Sequence, residues 1–179
     1  MNTAPARRHS GISLIESLIT LVIIALTLGL TLPSFEPLRA RKGVEGVGAQ
    51  FETDVQLARS LAVARNQSVR IGFEEAAGAS CYVVHSGPRG ACSCLRESGA
   101  TCTGGAEALR VVYFGARGAV QLQSNSPSML IDATRGTVTP TATVKVIARG
   151  SDMLHQVINI MGRVRSCSPS AVLPGYPRC

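Results

Sequence analysis

Tryptophan is absent from this chain of 179 residues, and four Phe and three Tyr are its only aromatic side chains. A folded core must therefore be filled mainly by Val, Leu, Ile and Ala. No run of aromatics exists on which the bases of a single strand would stack. Histidine is almost as scarce. His9 lies near the amino terminus, and neither His85 nor His155 neighbours a candidate nucleophile. None stands at zinc-finger spacing from the cysteines, so no metal site is expected, not even at Cys92-Ser93-Cys94. There is no G-x-S-x-G, no P-loop and no dinucleotide fingerprint. These gaps exclude the familiar catalytic classes, and the chain reads as a protein with no enzymatic activity and no cofactor. Internal repeats and low-complexity linkers are missing too.

Acids are unevenly missing. From Ile12 to Glu107 eight Lys or Arg face nine Asp or Glu, a net of −1. From Ala108 to Cys179 eight basic residues face only Asp132 and Asp152, a net of +6. A basic surplus gathered in one part of a chain points to a polyanion or an anionic surface as partner.

The longest apolar run, Gly11 to Phe35, reads GISLIESLITLVIIALTLGLTLPSF. It contains one charge, Glu16. A charge at the middle of a membrane span costs roughly 2.5–3.5 kcal/mol on insertion scales, so an acid inside such a run needs a purpose. Arg7, Arg8 and His9 precede the run without an acid among them. A secretory signal would place an A-x-A-like cleavage site after the run, but PSFEPLRARK follows.

The basic leader, Gly11, the apolar run and the early Glu16 together resemble the class III signal of type IV prepilins and type II secretion pseudopilins. GISLIES departs from the commoner GFTLIEL at Ile12, Ser13 and Ser17, each a mild replacement. The resemblance implies that residues 1–11 are a leader and that a prepilin peptidase cuts after Gly11. Ile12 becomes the N-methylated terminus. It also implies that residues 12–35 form a transmembrane and pilus-core helix in the bacterial inner membrane, with the C-terminal domain in the periplasm. Glu16 then takes part in assembly, its carboxylate pairing with the terminal amine of a neighbouring pilin.

Beyond Pro33 and Pro37, which are expected to bend or loosen the helix, the helical pattern resumes as an amphipathic continuation over residues 36–66. Val44, Val47, Phe51, Val55, Ala58 and Ala62 recur at spacings of three and four and draw one face. Asp54, Arg59 and Arg65 are assigned off that face. In Ser68 to Glu74, Val69, Ile71 and Phe73 alternate with polar residues or glycine, as in a strand. The element Ala58, Arg59, Ala62, Arg65 with its following strand resembles the GspH/FimT branch of the pilin family. Further strands are predicted near Ser80–His85, Ala108–Phe114, Ala119–Gln123, Met129–Asp132, Thr141–Arg149 and Leu154–Met161. Residues 67–179 thus form a β-rich domain. The fold class is α+β: a pilin fold whose long N-terminal helix packs on a mostly antiparallel sheet.

Six cysteines, Cys81, Cys92, Cys94, Cys102, Cys167 and Cys179, follow the apolar run. An even number in an exported domain predicts disulfides, with fifteen pairings open. The insert from Ser86 to Gly105 is expected to be a disulfide-held loop. A bridge between Cys167 and Cys179 would close a stiff, proline-bearing loop and stabilise it by about 3 kcal/mol.

That loop ends the tail GRVRSCSPSAVLPGYPRC. Gly162 allows a turn into it. Arg163 and Arg165, two apart on an extended backbone, point the same way. Paired guanidiniums on a rigid edge suit phosphate. Gly162, Arg163 and Arg165 resemble the GRxR element of FimT-type minor pilins, which implies sequence-independent binding of extracellular DNA in natural transformation. Lys145, Arg149 and Arg178 are candidates to widen the patch. Two other readings share the same anchor and domain: a GspH-like pseudopilin that is a structural subunit of a type II secretion system, and a minor pilin that only primes pilus assembly.

Overall fold

Ser13 opens the first helix, α1 (Leu14–Thr31), in a computed structural model that describes residues 13–31, 36–148, 151–169 and 173–179. The Ser13 hydroxyl accepts a hydrogen bond from the Glu16 N–H at 3.3 Å. That is one half of a capping box, with Glu16 at the third helical position, where an acid also meets the positive end of the helix dipole. The hydroxyls of Thr20 and Thr27 donate back to the carbonyls of Ser17 and Ile23, which hides their polarity inside an apolar rod. Leu14, Ile15, Leu18, Leu21, Ile24 and Leu26 are all exposed. A helix apolar all round has no face for water and is stable only when surrounded. Its 18 residues span ~27 Å, a little under the ~30 Å of a bilayer core. Among the described residues, no helix is long and apolar enough to cross a membrane.

The second helix, α2 (Glu36–Ala64), contains Pro37 in its first turn. The missing N–H of a proline is tolerated in a first turn, and the described residues after Pro37 continue as helix. Pro33 lies outside the described residues.

From Arg39 to Cys179 the chain forms one compact unit. Eleven strands follow α2 among the described residues: β1 (Val69–Ala76), β2 (Ala79–Ser86), β3 (Cys92–Arg96), β4 (Gly99–Cys102), β5 (Ala108–Phe114), β6 (Val120–Ser124), β7 (Ser128–Ile131), β8 (Val138–Thr139), β9 (Ala142–Ala148), β10 (Ser151–Ile158) and β11 (Val164–Cys167). They build a five-stranded sheet in the order β5-β2-β1-β7-β8, a four-stranded sheet in the order β11-β10-β9-β6 and the hairpin β3-β4. All the pairings are antiparallel.

The stripe of α2 explains why both sheets close on it. Phe51, Val55, Ala58 and Ala62 share a core with Ile71 and Tyr82 of the larger sheet and with Leu122, Val144 and Ile158 of the smaller one. Phe51 meets the Tyr82 ring edge-on at 5.3 Å between centroids. Nearer the start of the helix, Ala40 and Val44 pack with Val120, Val146, Leu154 and Leu173. Small residues set the spacing: a side chain at Gly48 would come within 2.5 Å of Leu154. The bare Gly48 leaves its carbonyl open to the buried amide of Gln156, which donates to it at 2.8 Å.

Two expectations are corrected here. Asp54 is not off the buried face: it is only 4% exposed and accepts from the Tyr82 hydroxyl at 2.8 Å and from Arg110 Nε at 3.4 Å. It sits one turn from Phe51 at the margin of the stripe, where Tyr82 and Arg110 of the larger sheet reach it. Burial, and then the bond to Asp54, push the Tyr82 phenol well above its ordinary range, so it stays a donor. The cysteine-rich insert is likewise more than a loop. It carries the β3–β4 hairpin, bridged across by Cys92–Cys102 and fastened to β2 by Cys81–Cys94. This hairpin covers the outer side of β2, which is why β2 is buried on both faces.

Phe51→Ala should destabilise the β-domain by about 3–5 kcal/mol. A lower denaturation midpoint with an unchanged slope would register the loss. A shift too small to measure would show that α2 is not packed as described.

Candidate nucleic-acid interface

β10 and β11 form a hairpin at the edge of the smaller sheet, with Val157 opposite Arg165 and His155 opposite Cys167. The turn between them is tight. Gly162 N–H donates to the Asn159 carbonyl at 2.8 Å, and Asn159 N–H donates to the Arg163 carbonyl at 3.1 Å. The Asn159 side-chain oxygen also accepts from Arg163 N–H at 2.9 Å. Gly162 has φ 69°, the left-handed value that closes a three-residue hairpin loop.

Gly162 is needed for space as well as for conformation. A Cβ there would lie 2.6 Å from Arg59 Cδ and 2.8 Å from Arg59 Nε. Arg59 lies flat across the turn and donates to the Gly136 carbonyl at 3.2 Å and to Gln56 Oε1 at 3.1 Å. Gln56 in turn donates to the Gly162 carbonyl at 3.4 Å. Arg59, which the helical pattern placed off the apolar face, is half-buried and clasps two turns to α2.

Beyond β11 the tail folds back. Cys167 and Cys179 are bridged. Ser168 is fully buried; its N–H donates to the Pro177 carbonyl at 2.8 Å and its hydroxyl to the Met153 carbonyl at 3.1 Å. Leu173 inserts into the cluster around Ala40 and Val44. Arg165 and Arg178 form the basic walls of a cleft of about 320 Å³, with Val157, Pro177 and the disulfide between them.

Arg163, Arg165 and Arg178 are exposed, and none is in an ion pair with a described residue. Lys145 lies on β9 opposite His155. Buried residues alternate along β9, with Val144 and Val146 inward, so Lys145 shares the outer face of the sheet with Arg165. It is half-buried and already engaged locally. Arg149, Gly11 and Ile12 lie outside the described residues. Glu16 is exposed on α1.

The cysteines have partners in each other. Glu74 stands with Cys81 and Cys94, their ligand atoms within 4.8 Å. The two sulfurs are bonded together, and the Glu74 carboxylate accepts from Ser93 Oγ at 2.8 Å and from Cys94 N–H at 2.9 Å. That carboxylate secures the hairpin. A further basic residue escaped the sequence reading. Arg70 on β1 donates to Ser128 Oγ at 3.1 Å, its Nε is buried without a partner, and burial and then nearby Arg89 hold it below its ordinary range. Its place among the polar positions of the Ser68–Glu74 alternation was the only signal for it.

The model of a family described as type II transport protein GspH matches residues 48–162. The match stops at Gly162, so Arg163, Arg165 and the disulfide-closed tail lie beyond it. Among solved structures, the type IV minor pilin FimU of Pseudomonas aeruginosa (strain PAO1) is 15% identical, with a TM-score of 0.51 over 76% of this chain and 96% of that one. The minor pseudopilin EpsH from the type 2 secretion system of Vibrio cholerae is 12% identical, with a TM-score of 0.46 over 70% of this chain and 97% of that one. At such identities the likeness to FimU is one of fold. No curated protein matches the chain in sequence.

Gly162→Ala should lower the melting temperature more than Gly90→Ala. Both glycines have positive φ, but a Cβ at Gly90 meets nothing within 4 Å, whereas one at Gly162 strikes Arg59. Equal melting shifts would argue against the clasp.

Proposed function

From the premise that the chain belongs to the GspH family and is a minor pilin or pseudopilin, we propose that it is a FimT-like minor pilin that binds extracellular DNA through its C-terminal basic edge during natural transformation. One observation supports this reading above others. Arg163 and Arg165 stand exposed at an edge strand, without an acidic partner among the described residues, and the tail that carries Arg178 is bridged back to the same strand. Fixing the backbone that carries the guanidiniums before binding reduces the entropy lost on contact. Among the described residues no helix stands at this edge to enter a major groove, so phosphate contacts carry the affinity and sequence matters little.

The anchor completes the proposal. A prepilin peptidase of the inner membrane cleaves between Gly11 and Ile12, Ile12 is N-methylated, and α1 holds the subunit in the membrane until it joins other pilins. Glu16 has two physical roles in this scheme: at the third helical position it is placed to complete the capping box that Ser13 begins, and its charge neutralises a neighbour's terminal amine. Glu16→Gln separates them, because glutamine preserves a capping box and removes the charge. Assembly into filaments should fail in both Glu16→Gln and Glu16→Ala, with the β-domain still folded. Normal assembly of the glutamine variant would leave the charge without a role.

The description of the matching family favours a second reading, a pseudopilin that serves a type II secretion system and contacts proteins only. DNA binding by the full chain in non-ionic detergent, titrated with salt, divides the two. For a small phosphate footprint of about three cations, log Kobs should fall with log salt at a slope of about −3. Arg163→Ala/Arg165→Ala should make that slope shallower by about two and weaken binding to all sequences alike. No binding by the wild type at low salt would favour the pseudopilin.

A further inference from the structure

The residues at the very tip of the β10–β11 turn are Ile160 and Met161, 54% and 56% exposed. They occupy the two central positions of the turn closed by the Gly162-to-Asn159 hydrogen bond. Such positions are dominated by Gly, Pro, Asn, Asp and Ser, which satisfy the backbone or the solvent. Two large apolar side chains there gain nothing from folding. The turn is also held unusually firmly for a protruding loop: Val138 N–H donates to the Ile160 carbonyl at 2.8 Å, and Gln56 and Arg59 brace Gly162 from below. Immediately behind the tip come Arg163 and Arg165, both exposed. The tip stands beside Arg59, about 30 Å along α2 from Arg39, at the far end of the domain from where the chain enters it.

A rigid apolar point with cations behind it is complementary to a surface whose outside is anionic and whose inside is apolar. Duplex DNA has this layering, with phosphates outermost and stacked bases within. Ile and Met are among the side chains that proteins insert between base steps from the minor groove, kinking the duplex while cations hold the adjacent backbone. We infer that the β10–β11 turn is a wedge: Ile160 and Met161 enter the minor groove and part a base step, while Arg163 and Arg165 hold the flanking phosphates.

The inference rests on the proposed DNA reading and extends it, because phosphate contacts alone require no apolar tip. It predicts a preference for deformable sites, since parting a base step costs least where stacking is already weak. The test uses the full chain in non-ionic detergent with two probes: an intact duplex of mixed sequence, and the same duplex with a central mismatch flanked by 2-aminopurine. The wild type should bind the mismatched duplex about tenfold more tightly than the intact one and brighten the 2-aminopurine as it unstacks. Ile160→Ser/Met161→Ser, a change confined to an exposed turn, should bring the ratio of affinities close to one and abolish the brightening, with the salt slope and melting temperature of the wild type. Arg163→Ala/Arg165→Ala should weaken binding to both probes. Equal wild-type affinity for the two probes without brightening overturns the wedge and leaves DNA binding intact. A wild-type preference that survives in the serine variant also overturns it. If that variant binds DNA like the wild type but fails to enter filaments, the tip is a contact between subunits and the wedge is wrong. Absence of wild-type binding to either probe at low salt removes the DNA reading, and the wedge with it.

Discussion

Gln56 and Arg59 make α2 more than a hydrophobic prop. On one side the helix buries Phe51, Val55, Ala58 and Ala62 in a core shared by two sheets. Beside that stripe, the amide and the guanidinium reach the carbonyls of Gly162 and Gly136. An edge hairpin would otherwise fray, because one of its strands pairs on a single side. Here its turn is tied to the most deeply packed helix of the domain. The turn that leads into Arg163 and Arg165 depends on this clasp, and the missing Cβ of Gly162 makes the clasp possible.

The same design recurs at the two other places where the fold is exposed to distortion. The β3–β4 hairpin has little core of its own: Cys92–Cys102 bridges it across, Cys81–Cys94 fastens it to β2, and the Glu74 carboxylate ties it to β1. The C-terminal tail has little regular structure among its described residues, and it is retained by Cys167–Cys179, by buried Ser168 and by Leu173. A domain without tryptophan has limited apolar area per side chain to spend on such segments, so covalent and polar ties replace it. The outcome is that the basic face is built on rigid elements.

Much of the helical part was legible. Spacings of three and four from Val44 to Ala62 marked the buried face, because a helix repeats its surroundings every turn. Alternation marked β1, and apolar runs marked most of the longer strands. β8 was not legible as a strand, since two residues give too few periods to count, and β3 and β4 were hidden in a stretch of Gly, Ser and Cys that read as a loop. Asp54 was misplaced for a related reason: it lies at the margin of the stripe, and whether a margin is covered depends on the curvature of a sheet formed by residues much later in the chain.

The amino-acid sequence by itself determined the classes of interaction. It holds an apolar rod with one early acid, an amphipathic helix, an even set of cysteines and an acid-poor carboxyl-terminal part, and each is a property of composition or local period. Only the tertiary structure decided which of fifteen disulfide pairings closes, that Arg59 braces a turn instead of facing water, that Arg165 and Arg178 share a cleft, and that Ile160 and Met161 are left at an exposed tip. The physical reason is distance along the chain. Gln56 and Gly162 are 106 residues apart, and a contact across that separation leaves no periodic trace on either side of it.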